Sequence, residues 1–180
     1  MLTKVLSCGT SGAERAALDA ATPRFIPFGG YCMKGRLVDD GELDAKYLAP
    51  RFSSKGLVET DETSYKSIVK RCLIDVDGAL ILRSGRHTRQ GKVALSAINE
   101  LTLEGRRRPY ITADPWLIWH LHKVLEWIVN HRIRHIFITG PSASERTGVY
   151  AKSLSFISDV YAQDFIRSHW NIAPYKDKDL

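Results

Sequence analysis

The segment of this chain best suited to hold an anion is a short run of glycines and hydroxyl side chains near its start. Residues 9–12 read Gly-Thr-Ser-Gly and separate an apolar stretch at residues 3–8 from an alanine-rich stretch at residues 13–21. Glycines let the backbone come close to a ligand, and the free N–H groups at the start of a helix attract negative charge. The pattern therefore predicts a phosphate-binding loop, with a plain helix cap as the alternative.

Two common phosphate motifs do not fit this 9–12 loop. A P-loop has a four-residue spacer and ends in Gly-Lys-Ser or Gly-Lys-Thr, and the dinucleotide fingerprint has three glycines at fixed spacing. The loop has neither pattern. We expect instead that its backbone N–H groups and the hydroxyls of Thr10 and Ser11 hold the anion. A side chain added at Gly12 is expected to stand where a phosphate approaches.

A second candidate is the stretch at residues 29–36, Gly-Gly-Tyr-Cys-Met-Lys-Gly-Arg, which Asp-Asp-Gly follows at residues 39–41. Lys34 and Arg36 could close over an anion, and Tyr31 could stack on a planar ring. A surface loop with solvated charges is the alternative. Cys32 has no histidine or cysteine at metal-ligand spacing, so we interpret it as a packing residue.

Glycine and hydroxyl clusters also follow two later apolar stretches. They lie at residues 84–92 and 139–144. In an open parallel sheet, ligands bind beyond the carboxyl ends of the strands. We therefore expect these two clusters, the 9–12 loop and residues 34–36 to line one cleft. No histidine stands in a known nucleophile motif with a serine or cysteine, so the sequence assigns no catalytic residue.

The elements that must position these loops alternate between strand and helix. Strands are predicted at residues 3–8, 24–28, 79–82, 109–112 and 134–139. Helices are predicted at residues 13–21, after a cap at Asp61, around residues 94–101, and at residues 115–131 and 148–168, the last with Tyr150, Leu154, Ile157, Tyr161 and Phe165 facing inward. This alternation predicts an α/β fold with a mainly parallel sheet and helices on both faces. Residues 31–58 carry no clear period, which indicates either a functional loop or an element that the pattern hides.

Length and composition bound the class of protein. The chain has 180 residues, of which 44% are apolar and 26% charged, so a disordered or fibrous chain is excluded. We expect one ligand-binding domain over residues 1–168 and a loosely ordered tail at residues 169–180. An odd count of three cysteines suits a reducing compartment. No apolar run reaches the roughly 18 residues of a membrane span, and the N-terminus does not resemble a signal peptide, so we expect a cytoplasmic protein.

Four motifs in register resemble the molybdenum cofactor carrier protein family. Residues 7–19, Ser-Cys-Gly-Thr-Ser-Gly-Ala-Glu-Arg-Ala-Ala-Leu-Asp, are similar to its opening Ser-Gly-Gly-Gln-Thr-Gly-Val-Asp-Arg-Ala-Ala-Leu-Asp. Residues 29–36 and 40–41 resemble its Gly-Gly-Trp-Cys-Pro-Lys-Gly-Arg and the Glu-Asp-Gly that follows. Residues 60–82 resemble its helix and its Asp-Gly-Thr-Leu-Ile-Leu strand. Residues 140–150 resemble Gly-Pro-Arg-Glu-Ser and Pro-Gly-Ile-Tyr near its end, so the resemblance covers roughly residues 4–160.

The resemblance implies a Rossmann-like fold of a circularly permuted branch of the SLOG and lysine-decarboxylase-like superfamily. It implies a homo-oligomer that holds the molybdenum cofactor (molybdopterin) by its phosphate and pterin and catalyses no reaction. The residues that it places at the ligand are Gly9, Thr10, Ser11, Gly12, Arg15, Lys34, Gly35 and Arg36. From the two later loops we add Thr88, Gly91, Lys92, Gly140 and Ser142.

The sequence departs from the family's pattern in one loop. After the middle strand, the family's Leu-Thr-Gly-Gly-Thr is replaced at residues 87–92 by His-Thr-Arg-Gln-Gly-Lys, so a double glycine that admits a close phosphate gives way to bulky side chains. The Pro-Gly-Gly-x-Gly-Thr-x-x-Glu motif of the related phosphoribohydrolases is absent. That activity therefore does not carry over.

We interpret the chain as a carrier of a small phosphorylated ligand, either a pterin cofactor or a nucleotide-like anion. One alternative is a hydrolase of a nucleotide derivative, with Asp39, Asp40 or Glu145 as general base. Another is a nucleic-acid-binding module that uses the net charge of +6. A third is a diverged protein that has lost its binding pocket.

Overall fold

The computed structural model of the protein describes residues 1–49 and 56–170, and their side chains as far as residue 165. Its strands are β1 (Lys4–Ser7), β2 (Phe28–Cys32), β3 (Leu37–Val38), β4 (Gly41–Glu42), β5 (Gly56–Glu59), β6 (Gly78–Leu82), β7 (Tyr110–Ala113) and β8 (His135–Thr139). Six of them form one sheet in the order β5-β2-β1-β8-β6-β7, and every neighbouring pair is parallel. The predicted parallel sheet is confirmed. The short strands β3 and β4 pair separately as an antiparallel hairpin.

Helices cover both faces of this sheet, as predicted. They are α1 (Ala13–Ala21), α2 (Tyr65–Ile74), α3 (Arg89–Leu103), α4 (Trp119–Asn130) and α5 (Val149–Trp170). One core packs α1, α4 and α5 against the sheet, and a second core packs α2 and α3 against the opposite face. Strands that are covered on both faces carry apolar side chains throughout, and all five residues of β6 are buried. The fold is therefore a three-layer Rossmann-like α/β fold.

The alanine face of α1 lets this helix lie close to the rest of the core. Its members are almost fully buried: Ala13, Ala16, Ala17, Ala20 and Ala21. The hydroxyl of Tyr161 on α5 donates to the carbonyl of Ala17 at 3.4 Å, so α1 and α5 approach each other closely. This contact holds the middle of α1 against α5.

The strand predicted at residues 24–28 is wrong by four positions. Residues Thr22–Arg24 form a 3-10 turn that contains Pro23, and Phe25 has a left-handed φ of 54°. The chain therefore turns before β2 begins at Phe28. Gly30 lies inside the strand rather than after it. The position requires glycine, because a Cβ there would overlap the carbonyl oxygen of Ser7 on β1.

The described residues of the aperiodic stretch, 31–49 and 56–58, pack on the sheet edge instead of forming an open loop. The stretch contains a 3-10 turn at Lys34–Arg36, the β3–β4 hairpin, a second 3-10 turn at Ala45–Tyr47 and the edge strand β5. A small third core lies beneath it, formed by Leu18, Cys32, Leu43, Tyr47 and Leu57. Cys32 is fully buried there, as expected of a packing residue. Residues 50–55 lie outside the described part of the chain.

Two helix starts differ from the predicted ones. Helix α2 begins after Ser64, so Asp61 does not cap it. Helix α4 begins at Trp119 instead of Pro115, because Asp114 holds the intervening turn. Its side chain accepts the N–H of Trp116 at 3.1 Å, and its carbonyl accepts the N–H of Leu117 at 3.0 Å.

Helix α5 includes Trp170, the last described residue, two positions beyond the predicted end at Ser168. Its inward face is rotated by one position from the predicted one. Ile157 and Tyr161 are buried as expected, but Tyr150 is 38% exposed and Phe165 is 53% exposed. Phe156 and Val160 complete the buried face instead. Most of the expected tail, residues 171–180, lies outside the described residues. In the part of the chain that is described, no helix combines the length and apolar character needed to cross a membrane.

Candidate functional site

The 9–12 loop lies where the carboxyl ends of the central strands meet, and it packs directly on residues 140–144, which follow β8. The N–H of Ala13 donates to the carbonyl of Pro141 at 3.0 Å, and the N–H of Ala143 donates to Ser11 Oγ at 3.0 Å. Gly140 is buried as well. A Cβ added there would lie 2.8 Å from Leu82 Cβ, so the position leaves no room for a side chain. The loops after β1 and β8 therefore form one joined surface.

The junction with residues 140–144 requires a glycine at position 12. Its φ is 78°, and an added Cβ would overlap Pro141 O and lie 2.8 Å from the backbone nitrogen of Ala143. The expectation that a side chain at Gly12 would occupy the space of a phosphate is wrong. Such a side chain would instead push the loop at residues 140–144 away.

The donors expected to hold an anion hold two carboxylates of the protein itself. Asp39 and Asp40 form the turn between β3 and β4. The N–H of Ser11 donates to Asp39 Oδ1 at 2.7 Å, and the Ser11 hydroxyl donates to Asp39 Oδ2. Arg15 donates both of its terminal nitrogens to Asp40, at 2.6 and 2.7 Å. The start of α1 thus already binds negative charge, supplied by the Asp39–Asp40 turn.

Thr10 faces the interior, where it meets a buried carboxylate that the sequence analysis missed. Its N–H and its hydroxyl donate to Glu14 Oε2 at 2.9 and 2.8 Å. Glu14 Oε1 accepts the hydroxyl of Thr139 at 2.7 Å and that of Tyr65. Burial raises the pKa of Glu14, and these hydrogen bonds oppose that rise. Thr10 therefore fixes the position of the loop by its hydrogen bonds to Glu14. The sequence feature that could have indicated this contact is an acidic residue four positions after Thr10, in the first turn of the helix.

Lys34, Gly35 and Arg36 lie at the ends of β2 and β5, among acidic residues. The N–H of Gly35 donates to Glu59 at 2.8 Å, and Arg36 pairs with Glu42 at 2.7 Å and with Glu59 at 3.7 Å. Within residues 1–49 and 56–170, no hydrogen bond joins these three residues to the 9–12 loop. The structure links that loop to the Asp39–Asp40 turn of the same long stretch instead.

Tyr31 is also engaged within this edge of the sheet. Its hydroxyl donates to Asp75 at 2.6 Å, and the guanidinium of Arg71 lies 4.5 Å from its ring centre. One face of the ring that was expected to stack on a ligand is therefore covered by Arg71.

Glu145 connects residues 84–92 to residues 140–144. One of its oxygens accepts the N–H of Arg89 at 3.0 Å, and the other accepts the N–H of Ser142 at 3.1 Å. Ser142 is buried, and its hydroxyl shares a hydrogen bond of 2.9 Å with that of Ser144. The structure therefore brings three of the four predicted loops together, through contacts that run from Ser11 to Ala143 and from Glu145 to Arg89.

The remaining predicted residues lie at the start of α3. Thr88 is the N-cap residue, but its side chain makes no capping hydrogen bond. Gly91 is buried and lies beside the ring of His87. A Cβ added at Gly91 would be 3.4 Å from His87 Nδ1. Lys92 is exposed on the first turn of the helix.

Comparison with known proteins agrees with this architecture. The family model described as "Circularly permutated YpsA SLOG family" matches residues 5–161. A crystal structure of a protein from Syntrophus aciditrophicus SB, provisionally named a molybdenum carrier protein, superimposes with a TM-score of 0.73. It is 25% identical in sequence, and the match covers 91% of this chain and 94% of that one. No curated protein matches the chain in sequence. Because the family model spans most of its length, the chain belongs to the circularly permutated YpsA SLOG family.

Proposed function

We propose that this protein binds and carries a small phosphorylated ligand with a heterocyclic ring, either the molybdenum cofactor or a nucleotide-like anion. The observation that carries the proposal is the capture of Asp39 and Asp40 by Ser11 and Arg15 at the start of α1. A bidentate guanidinium and an N–H at a helix start are the donors that also suit a phosphate. The carboxylates of the turn stand in for the ligand's anion.

Binding then requires an exchange of one anion for another. The Asp39–Asp40 turn is a two-residue connection at the surface, and the Asp40 side chain is 45% exposed, so it can leave without opening the core. A phosphate has more acceptor oxygens and more charge than a carboxylate, which favours the exchange. The turn nevertheless competes with the ligand, because its two carboxylates occupy the same donors.

We assign the two ends of such a ligand to the joined loops. Ser11, Gly12 and Arg15 would hold its phosphate, and the loops at residues 84–92 and 140–144 would hold the ring. The name of the structural neighbour from Syntrophus aciditrophicus supports molybdopterin as the ring-bearing ligand. When bound, that cofactor would supply its metal chemistry to a recipient enzyme, while this chain holds the phosphate and the ring.

The test is thermal stabilisation and calorimetric titration with molybdopterin, GMP and inorganic phosphate. At a ligand concentration 100 times Kd, the wild type should gain about 2.7 kcal/mol of stability. Arg15→Ala should bind at least about tenfold more weakly, because one bidentate pair is lost. Asp39→Asn should bind several-fold more tightly, because the competing charge is removed while the hydrogen bond from Ser11 is kept.

Matched controls separate these effects from changes of net charge. Arg106→Ala removes a cation from an exposed turn, and Asp44→Asn removes an acid from the same long stretch as Asp39. Both should bind like the wild type. Equal affinities for the wild type, Arg15→Ala and Asp39→Asn would reject the 9–12 loop as the anion site. Turnover of a nucleotide by the wild type would favour the hydrolase instead.

A further inference from the structure

The loop between β6 and α3 holds a group of buried polar atoms that nothing in the protein satisfies. Among the described residues, seven buried side-chain nitrogen or oxygen atoms lack a hydrogen-bond partner, and four of them lie between residues 83 and 90. These are Arg83 Nε, His87 Nδ1, Thr88 Oγ1 and Gln90 Oε1. Buried polar groups in folded proteins are almost always paired, so such a concentration in eight residues calls for an external partner.

Gln90 identifies the kind of partner. It is the second residue of α3 and only 7% exposed. Its unpaired atom is an amide oxygen, which accepts hydrogen bonds and cannot donate them. A sulfate or a fully ionised phosphate group would present only further acceptors to this oxygen and leave it unsatisfied. The partner of Gln90 must therefore carry an N–H or an O–H donor.

The other three atoms widen this requirement. Arg83 Nε only donates, so it needs an acceptor, whereas a threonine hydroxyl does either. Burial lowers the pKa of His87, and the charges of Arg83 and Lys92 lower it further. At neutral pH its ring is therefore neutral, with one donor and one acceptor nitrogen. Together the four unpaired atoms require a ligand edge that carries both hydrogen-bond donors and acceptors.

We infer that residues 83–90 form the ring-recognition half of the site, and that they bind the amide-like edge of a heterocycle in which N–H groups adjoin a carbonyl oxygen. Pterins and guanine share this edge. Gln90 accepts from its N–H groups, and Arg83 donates to its carbonyl oxygen. This inference rests on the proposed function for the phosphate, but it is carried by different residues.

The position of the loop agrees with one ligand that spans both halves. Arg89 follows Thr88 directly, and its N–H binds Glu145, which also holds Ser142. The same 140–144 loop contacts Ser11 through Ala143. The ring half and the phosphate half are therefore both connected to the 140–144 loop.

The decisive variant is Gln90→Leu, which removes the amide and keeps a side chain of similar size. The probes are GMP, guanosine and ribose 5-phosphate, measured by calorimetry. Wild type should bind GMP at least about tenfold more tightly than ribose 5-phosphate, which lacks the ring. Gln90→Leu should lose about tenfold in affinity for GMP and guanosine and bind ribose 5-phosphate unchanged. The matched control is Gln163→Leu, the same change on α5, which should bind all three like the wild type.

The probes distinguish failure of this inference from failure of the proposed function. Loss of ribose 5-phosphate binding in Arg15→Ala tests the phosphate half alone. Guanosine carries no phosphate, so its binding and its sensitivity to Gln90→Leu test the ring half alone. The inference is overturned if guanosine does not bind, if GMP binds no better than ribose 5-phosphate, or if Gln90→Leu binds GMP like the wild type. Melting curves of both glutamine variants confirm that they are folded.

Discussion

At the scale of single residues, the carboxylate of Glu14 explains how a short loop keeps one shape. It accepts four hydrogen bonds, from the backbone and hydroxyl of Thr10 and from the hydroxyls of Thr139 and Tyr65. These donors come from β8, α2 and the 9–12 loop itself. A buried acid that is fully hydrogen-bonded fixes the position of each donor, because any displacement leaves an unpaired polar group. Glu14 therefore sets the geometry of the loop from below.

The same residue makes stability depend on pH. Burial raises the pKa of Glu14 above its ordinary value of 4.5. The folded state then holds the proton more tightly than the unfolded state, so the free energy of unfolding falls as pH rises from about 4.5 through the folded pKa. Glu14→Gln does not titrate, and the hydroxyls of Tyr65 and Thr139 can turn to accept from its amide. Its stability relative to the wild type should therefore improve over this range.

Chemical denaturation from pH 4.5 to pH 8 measures this difference. For each unit by which the pKa of Glu14 is raised, the free energy of unfolding of the wild type relative to Glu14→Gln should fall by about 1.4 kcal/mol between pH 4.5 and pH 8. Glu126→Gln on α4 is the control, and its profile should run parallel to that of the wild type. Parallel profiles for Glu14→Gln as well would show that the carboxylate has no raised pKa in the folded protein.

At the scale of elements, the site depends on how tightly loops from neighbouring strands pack. The 9–12 loop and residues 140–144 belong to adjacent strands, β1 and β8, which pair from Lys4 with His135 to Leu6 with Phe137. Parallel pairing places both strand ends at one edge, and the absence of a side chain at Gly12 lets the two backbones touch. The arrangement of the anion donors thus follows from the register of these strands.

Substitution of Gly12 tests this junction against a matched glycine. Gly12 and Gly85 have similar φ angles, 78° and 73°, but a Cβ at Gly85 meets nothing within 4 Å. Gly85→Ala should cost only the strain of a positive φ, about 1–3 kcal/mol. Gly12→Ala should cost measurably more, since the loop at residues 140–144 must also move. Equal losses in urea denaturation would show that this loop yields without cost.

At the scale of the whole molecule, part of the positive charge is engaged in ion pairs with acids. The net charge is +6, yet Arg15 and Arg36 pair with acids, and Lys66 and Lys70 of α2 pair with Glu100 and Glu104 of α3. A binder of long nucleic acid needs many unpaired cations along one track. The paired cations are not available for such a track, so the question is whether the remaining ones form it.

Salt dependence separates these two kinds of ligand. GMP carries no condensed counterions, so its affinity should fall by less than about tenfold between 50 and 200 mM salt, through screening alone. A nucleic-acid complex with 6–10 phosphate contacts would lose roughly 10³–10⁵ over the same range. Titration with GMP and with a thirty-nucleotide single strand checks both. Tight, steeply salt-dependent binding of the strand would support the nucleic-acid module.

Much of the architecture is readable from local patterns, because helix and strand periods reflect which side chains face a core. The alanine face of α1, the buried run of β6 and the alternation of elements each predict their observed places. Strand β2 is the clearest failure, because Gly29 and Gly30 carry no periodic signal and strongly favour a turn. Only the neighbouring Ser7 on β1 explains why Gly30 stands in this strand, since a Cβ there would overlap the Ser7 carbonyl oxygen.

The sequence by itself determined the fold class and the family, because these depend on local composition and on motifs in register. The loops that it offers for a phosphate stay a prediction. Only the tertiary structure decided which atoms those loops leave free. Asp39 and Asp40 are 28 and 25 residues from the donors that they occupy, and Glu145 is 56 residues from Arg89. Such pairings are invisible in a linear pattern, since they follow from strand order and from the path of the β3–β4 turn. The partnerless atoms of residues 83–90 likewise appear only when every neighbour has been placed.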